Sequence, residues 1–276
     1  MDHRRMFAKM YDGALAYQQI RKLKQQLLAP LYVHTTGVLL DPNYGINLTP
    51  PSAALILSLE KPGISMQDGY PQSELLDGWS TKKAKNAGAI GVKLLVNMDP
   101  DDADSAAAGR RLAEQVAHEC LEQDILLLLE PMVPGDLDRR DERTIAALET
   151  LADVPADIFK IEYPGPSLVR RVSSMIEAPW AVLSGGVDFD QLRNIVQISG
   201  SAGCSGFVAG RSVWQEIKHF TSEDERAKFI QSTVTNRFEQ LRQVAQDHCA
   251  PLWNRVTVDD DLSMDWYQAY ALSGQE

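Results

Sequence analysis

Short apolar runs that stop at a charged residue, a glycine or a proline alternate along this chain with longer stretches of helical spacing. The runs Thr36–Asp41, Ala53–Glu60, Gly91–Asn97, Ile125–Glu130, Ala156–Pro164, Trp180–Ser184 and Gly206–Gly210 are short, rich in Val, Ile and Leu, and bounded by turn residues, which predicts buried strands. Between them, apolar residues recur every three to four positions over Leu75–Ala87, Ala106–Gln123, Asp141–Leu151, Leu168–Ile176, Asp188–Ile198 and Ser222–His248, which predicts helices. A helix or two is also expected over Asp2–Gln26. Gly88 follows the first of the inter-strand helices as a C-cap. Seven strands alternating with helices make a parallel α/β protein.

The glycines choose between the two parallel architectures. An open doubly wound sheet carries its Gly-rich fingerprint after the first strand. Here Ser184-Gly185-Gly186 and Ala209-Gly210-Arg211 follow the last two strands, where a (β/α)₈ TIM barrel commonly binds phosphate. The expectation is therefore a (β/α)₈ barrel whose first strand is missing or truncated, because the chain opens on Met1-Asp2, where that strand would just be ending. Residues 1–250 are expected to form one barrel domain, and 251–276, with Asp259-Asp260-Asp261, a polar C-terminal tail. No internal repeat or low-complexity segment interrupts this pattern.

Composition narrows the function classes. A chain of 276 residues with 44% hydrophobic and 24% charged residues suits one globular domain of barrel size. A net charge of −11 argues against a nucleic-acid partner, though not against a small basic pocket for a phosphorylated metabolite. Cys120, Cys204 and Cys249 are widely spaced, with no CxxC pair to suggest zinc or a disulfide scaffold. No apolar stretch reaches the ~18 residues of a membrane span. The N-terminus lacks the apolar core of a signal peptide, so no membrane partner and a cytoplasmic location are expected.

The candidate chemistry lies at the strand ends. The run Ile158-Phe159-Lys160-Ile161-Glu162 carries a lysine in the middle of an apolar strand. Burial disfavours the ammonium form, and a neutral strand-borne amine in a closed site is the nucleophile that Schiff-base chemistry on a carbonyl needs. The plain alternative is that Lys160 snorkels to water or pairs with Glu162. Period-two counting puts Lys93, Leu95 and Asn97 on one face of their strand and Leu126, Leu128 and Glu130 on one face of theirs. In a barrel these faces converge, so Lys93 and Glu130 would join Lys160 in one pocket, as catalytic groups or as an internal ion pair. Arg211 beside the glycine loops can bind phosphate oxygens in two-pronged fashion.

Nine stretches in order carry a family resemblance. They are Asp2-His3-Arg4, Gly37–Gly45, Leu59-Glu60-Lys61, Asp77-Gly78-Trp79-Ser80, Val92–Leu95, Leu129-Glu130-Pro131, Asp157–Glu162, Pro179–Val187 and Ala209–Trp214. Together they resemble the class I aldolases of the tagatose 1,6-bisphosphate aldolase family, which is also similar to the sulfofructose phosphate aldolases. The resemblance implies that Lys160 forms the Schiff base, Glu130 handles protons, Lys93 lies beside the imine and Asp2 belongs to the site. It further implies that Ser184, Gly185, Gly210 and Arg211 bind phosphate, and that a phosphorylated ketose is cleaved reversibly to dihydroxyacetone phosphate and an aldehyde with no metal or other cofactor. Barrels of this family often associate into homo-oligomers, although no apolar stripe here marks an interface. Members carry a full apolar strand before the Asp-Gln-Arg or Asp-His-Arg segment, and His3 stands where glutamine is usual among tagatose-type members.

Two alternatives differ in class. A metal-dependent aldolase or isomerase would need ligands at the strand ends, but His34, His118, His219 and His248 fall on predicted loops and helices. A non-catalytic sugar-phosphate sensor with an incomplete barrel would draw its support from the absent first strand, against the presence of Lys160, Lys93 and Glu130.

Overall fold

The computed structural model describes residues 15–48, 54–67, 69–135 and 139–252, together with Phe7, Met10 and Tyr11. Every strand expected from the sequence forms. They are β1 (Val38–Leu40), β2 (Leu55–Ser58), β5 (Gly91–Asn97), β6 (Leu126–Met132), β7 (Ile158–Glu162), β8 (Trp180–Leu183) and β9 (Gly206–Val208), while β3 (Ser65–Gln67) and β4 (Tyr70–Gln72) make a separate antiparallel hairpin. The seven lie side by side in chain order, all parallel. The curled sheet with helices between its strands is that of an incomplete TIM barrel, open between β9 and β1 among the described residues.

Side chains partly span that opening. The Phe7 ring stacks on Trp214 at 5.3 Å, just beyond β9, and the Lys24 ammonium lies 5.8 Å from the centre of the Phe7 ring. Lys24 belongs to α1 (Tyr17–Leu28), is fully buried, and makes an ion pair with the equally buried Asp41 at the end of β1. Asp41 Oδ1 also accepts the Tyr44 N–H at 2.7 Å, which fixes the turn after β1. Gly45 closes that turn: a Cβ there would stand 2.7 Å from both Asp41 O and Leu40 Cβ.

The pleat separates two environments. Leu57 on β2, Val92, Leu94 and Val96 on β5, Leu127 and Leu129 on β6, Phe159 and Ile161 on β7, and Val182 on β8 are buried in one apolar cluster under the helices. That cluster includes Ala113, Val116 and Ala117 of α3 (Ala103–Gln123), Ile145 and Leu148 of α4 (Arg140–Leu151), Val169 and Val172 of α5 (Gly165–Met175), and Leu192 and Val196 of α6 (Phe189–Gly200). The alternate residues, Ser58, Lys93, Glu130 and Lys160 among them, line the other side of the sheet.

Helix starts follow local chemistry. Asp102 caps α3 by accepting the Ser105 N–H at 2.8 Å, and Asp188 caps α6 by accepting the Gln191 N–H at 2.9 Å. The helix expected over Leu75–Ala87 is corrected to α2 (Thr81–Asn86). Leu75 instead makes an isolated antiparallel bridge with Glu60, Gly78 turns at φ +70°, and Ser80 caps the shortened helix. A four-residue α7 (Arg211–Trp214) and α8 (Glu223–Phe229) follow β9. The long C-terminal helix is broken by a π-turn at Ile230–Val234 before α9 (Thr235–His248). The expected polar tail lies outside the described residues from 253 onward. Among the described residues no helix is long and apolar enough to cross a membrane.

The three cysteines differ in environment. Burial pushes the Cys120 thiol up to about 12, helped by the charges of Asp157 and Glu119. Burial also pushes Cys204 up, whereas the hydrogen bond with Cys204 lowers the half-buried Cys249 thiol. Iodoacetamide at pH 8 should therefore alkylate Cys249 in the native protein and reach Cys120 and Cys204 only after denaturation. Peptide mapping that found Cys120 labelled as fast as Cys249 would contradict this packing.

Candidate active site

Four charged side chains of alternating sign cross the inner face of the sheet, from mid-strand at Lys93 and Lys160 to Glu60 just past the end of β2. Lys160 of β7 sits with Nζ 2.6 Å from Glu130 Oε1 of β6. The other carboxylate oxygen of Glu130 lies 3.4 Å from Lys93 Nζ of β5, and Lys93 Nζ donates to Glu60 Oε1 at 2.6 Å. Glu60 follows β2, and its second oxygen accepts the Leu95 N–H at 3.2 Å. Lys93 and Glu130 are essentially sealed from water, and Lys160 and Glu60 nearly so.

Strand register causes this arrangement. In the parallel pairs, Ser58 is opposite Lys93, Lys93 opposite Leu128, and Leu128 opposite Ile158. Continuing the last pairing by two residues brings Glu130 beside Lys160 on adjacent strands, about 4.8 Å apart in backbone spacing. A buried charge is tolerated only when paired and hydrogen-bonded, and here each member has an opposite charge on a neighbouring strand.

The suggested Lys160–Glu162 pair does not form. Glu162 is held by Arg140 of α4, with Nε and Nη2 donating to its two oxygens at 3.0 and 2.8 Å. Further along the rim, Arg143 Nη2 donates to Asp99 Oδ1 at 2.5 Å. Burial alone would raise the Asp99 carboxyl, but Arg143 and the Asp101 N–H outweigh it and hold Asp99 below the usual carboxylate range.

The glycine loops adjoin this row. Ser184 follows β8, directly beside β7, and its N–H reaches Val208 O of β9 at 3.3 Å. Gly185 and Gly186 have φ of +59° and +83°, and a Cβ on Gly186 would come within 2.9 Å of Arg211 Nη2. The β8 and β9 loops are therefore in contact: the guanidinium of the exposed Arg211 lies against Gly186, and Gly210 immediately precedes α7. Lys160, Glu130 and Lys93 are thus brought together, and Ser184, Gly185, Gly210 and Arg211 gather at the ends of the two next strands. Asp2 and His3 lie outside the described residues.

Glu60 was not among the residues expected in the site. Its signal was present: it ends an apolar run as Glu130 does, and it shares the parity of Ser58, which faces inward beside Lys93. Among the described residues no group of three or more His, Cys, Asp or Glu is arranged to hold a metal ion. His34 pairs with Glu239 at 2.8 Å on the outer helices, and His118 with Glu122 at 3.2 Å on α3.

A curled parallel α/β sheet carrying a buried lysine–carboxylate row on its inner face, with two glycine loops at its C-terminal strand ends, has the layout of a barrel enzyme. The chain belongs to the DeoC/LacD family of aldolases, whose family model matches residues 1–216. Among curated relatives, the tagatose 1,6-diphosphate aldolase of Lactococcus lactis subsp. lactis is 25% identical over 294 aligned positions, covering 92% of this chain and 90% of the relative. Tagatose 1,6-diphosphate aldolase 2 of Streptococcus agalactiae serotype III (strain NEM316) is 23% identical with the same coverage. The fold is shared with an archaeal fructose 1,6-bisphosphate aldolase at TM-score 0.61 and 19% identity, covering 88% of this chain and 90% of that one. It is also shared with the Plasmodium falciparum fructose-bisphosphate aldolase at TM-score 0.71 and 14% identity, covering 89% and 88%.

Proposed function

We propose that this protein is a class I aldolase that cleaves a phosphorylated ketose reversibly, through a Schiff base on Lys160, into dihydroxyacetone phosphate and an aldehyde. The observation that carries this is the buried Lys160–Glu130 contact of 2.6 Å on the inner face of the sheet. A nucleophilic amine needs a neighbour that can take and return its protons, and a carboxylate at hydrogen-bond distance meets that geometric requirement. The curated relatives support a substrate resembling tagatose 1,6-bisphosphate. A solved structure of the same fold is described as a Schiff-base-forming fructose-1,6-bisphosphate aldolase, which supports the reaction class.

In this mechanism Glu130 accepts the proton that leaves Lys160, and the free amine attacks the ketose carbonyl carbon. After attack the nitrogen passes a second proton to the former carbonyl oxygen, making a hydroxyl, and Glu130 returns its proton to that hydroxyl, so water leaves and an iminium forms. Glu130 then takes the proton from the hydroxyl on the carbon beyond the bond to be broken. The C–C bond cleaves to release the aldehyde, and its electron pair moves into the iminium to give an enamine. Reprotonation at carbon and addition of water release dihydroxyacetone phosphate and regenerate Lys160. Lys93 contributes a fixed positive charge beside Glu130, and Ser184, Gly185, Gly210 and Arg211 hold the phosphate. Asp2 joins the site in this reading.

The test is borohydride reduction with dihydroxyacetone phosphate and EDTA present, followed by peptide mass mapping. A reduced adduct on Lys160 is expected. A folded protein that gives no adduct, or one on a different lysine, would overturn the assignment.

A further inference from the structure

Glu60 has no role in the mechanism above, yet it makes the shortest contact to Lys93. Lys93 Nζ is 2.6 Å from Glu60 Oε1 but 3.4 Å from Glu130 Oε2, so of these two carboxylates Glu60 holds the ammonium more closely. Glu60 is itself fixed, because its other oxygen accepts the Leu95 N–H and its residue bridges Leu75. We propose that Glu60 is a positioning residue that sets the proton affinity of the Glu130–Lys160 pair by holding the Lys93 charge back from Glu130. The inference rests on the Schiff-base reading of the same site.

The physical chain is short. A cation close to a carboxylate favours its ionised form. Were Lys93 free to close on Glu130, Glu130 would become a weaker base and would less often carry the proton it must return. Its remaining negative charge would also stabilise the Lys160 ammonium less. Glu60 offsets both effects by sharing the Lys93 charge from the side opposite Glu130. Among the described residues, several other charged groups around this row are paired, while the exposed Arg211 stands at the β9 loop. Lys24 pairs with Asp41 beside β1, Lys61 with Glu74 and Asp77 after β2, Arg143 with Asp99 beyond β5, and Arg140 with Glu162 on β7. Lys93 Nζ lies 3.4 Å from Glu130 Oε2, so the distribution of its charge bears directly on the Glu130–Lys160 pair.

The experiment is the pH profile of kcat/KM, with the pH dependence of borohydride trapping alongside, for wild type and for the neutral variants Glu60→Gln and Glu60→Ala. Removing the Glu60 charge should move both limbs of the profile to lower pH by about one unit. Trapping at the foot of the acid limb should then rise by up to about tenfold. Glu60→Asp, which keeps the charge, should restore a profile close to wild type. Two neutral variants are used so that a folding defect in one does not end the test, and thermal unfolding is followed for each. A purely structural Glu60 would lower the unfolding temperature and leave the profile of the folded enzyme where it was, and that result would overturn the inference while the Lys160 adduct stood. A wild type that gave no adduct would instead remove the reading on which the inference rests.

Discussion

Lys160→Ala is expected to lower kcat/KM for ketose phosphate cleavage by roughly 10⁴–10⁶-fold, the order seen when a nucleophile acting in concert with its base is removed. Among the described residues no other lysine can take its place without a large movement. Lys93 is the nearest candidate, but it is fully buried and held between Glu60 at 2.6 Å and Glu130 at 3.4 Å. The fold should survive the change, since Glu130 keeps Lys93 as a counter-charge within 4 Å after the Lys160 ammonium has gone. Steady-state kinetics and borohydride trapping should fall together, with little change in unfolding temperature. A variant that keeps more than a hundredth of wild-type activity would show that the covalent route through Lys160 is not the main one.

Lys24→Met should have the largest effect on stability, about 3–5 kcal/mol, because it deletes one member of a fully buried ion pair. The loss arises less from the missing attraction than from the desolvated Asp41 charge that the substitution leaves behind. Asp41→Asn in the same chain should recover much of the loss, since the amide oxygen can still accept the Tyr44 N–H that Asp41 Oδ1 now holds at 2.7 Å. Urea unfolding of wild type, both single variants and the double variant would measure the coupling. Additive losses would show that the pair contributes little. The expectation is strong coupling, because Lys24 of α1 and Asp41 of β1 tie the first described helix to the edge of the sheet, next to Phe7 and Trp214.

Much of this molecule could be read from order along the chain. Each of the seven parallel strands falls where a short apolar run meets a charge, glycine or proline, because a strand covered by helices on one face and by the barrel interior on the other is buried on both and reads as a near-continuous apolar run with a polar stop. Period-two parity alone put Lys93, Glu130 and Lys160 on inward faces of their strands. The errors came where a distant segment overruled a local pattern. Leu75 and Leu76 share helical spacing with the residues after them, but Leu75 bridges Glu60 and the Leu76 N–H donates to Leu59 O, so the helix starts only after the Ser80 cap. The β3–β4 hairpin has few apolar residues and left no periodic signal.

The identity of each charge's partner was decided by tertiary structure. Lys160 and Glu162 lie on the same face of one strand, two residues and therefore about 6.6 Å apart, whereas parallel register brings Glu130 alongside Lys160 from the next strand at about 4.8 Å. The nearer carboxylate captured the lysine, and Arg140 took Glu162. The same register joined Glu60 to Lys93 across 33 residues of sequence. Sequence alone determined which residues could face inward, since alternation is a property of a single strand. Which of them meet depends on the stagger between strands, and that is a property of the whole sheet.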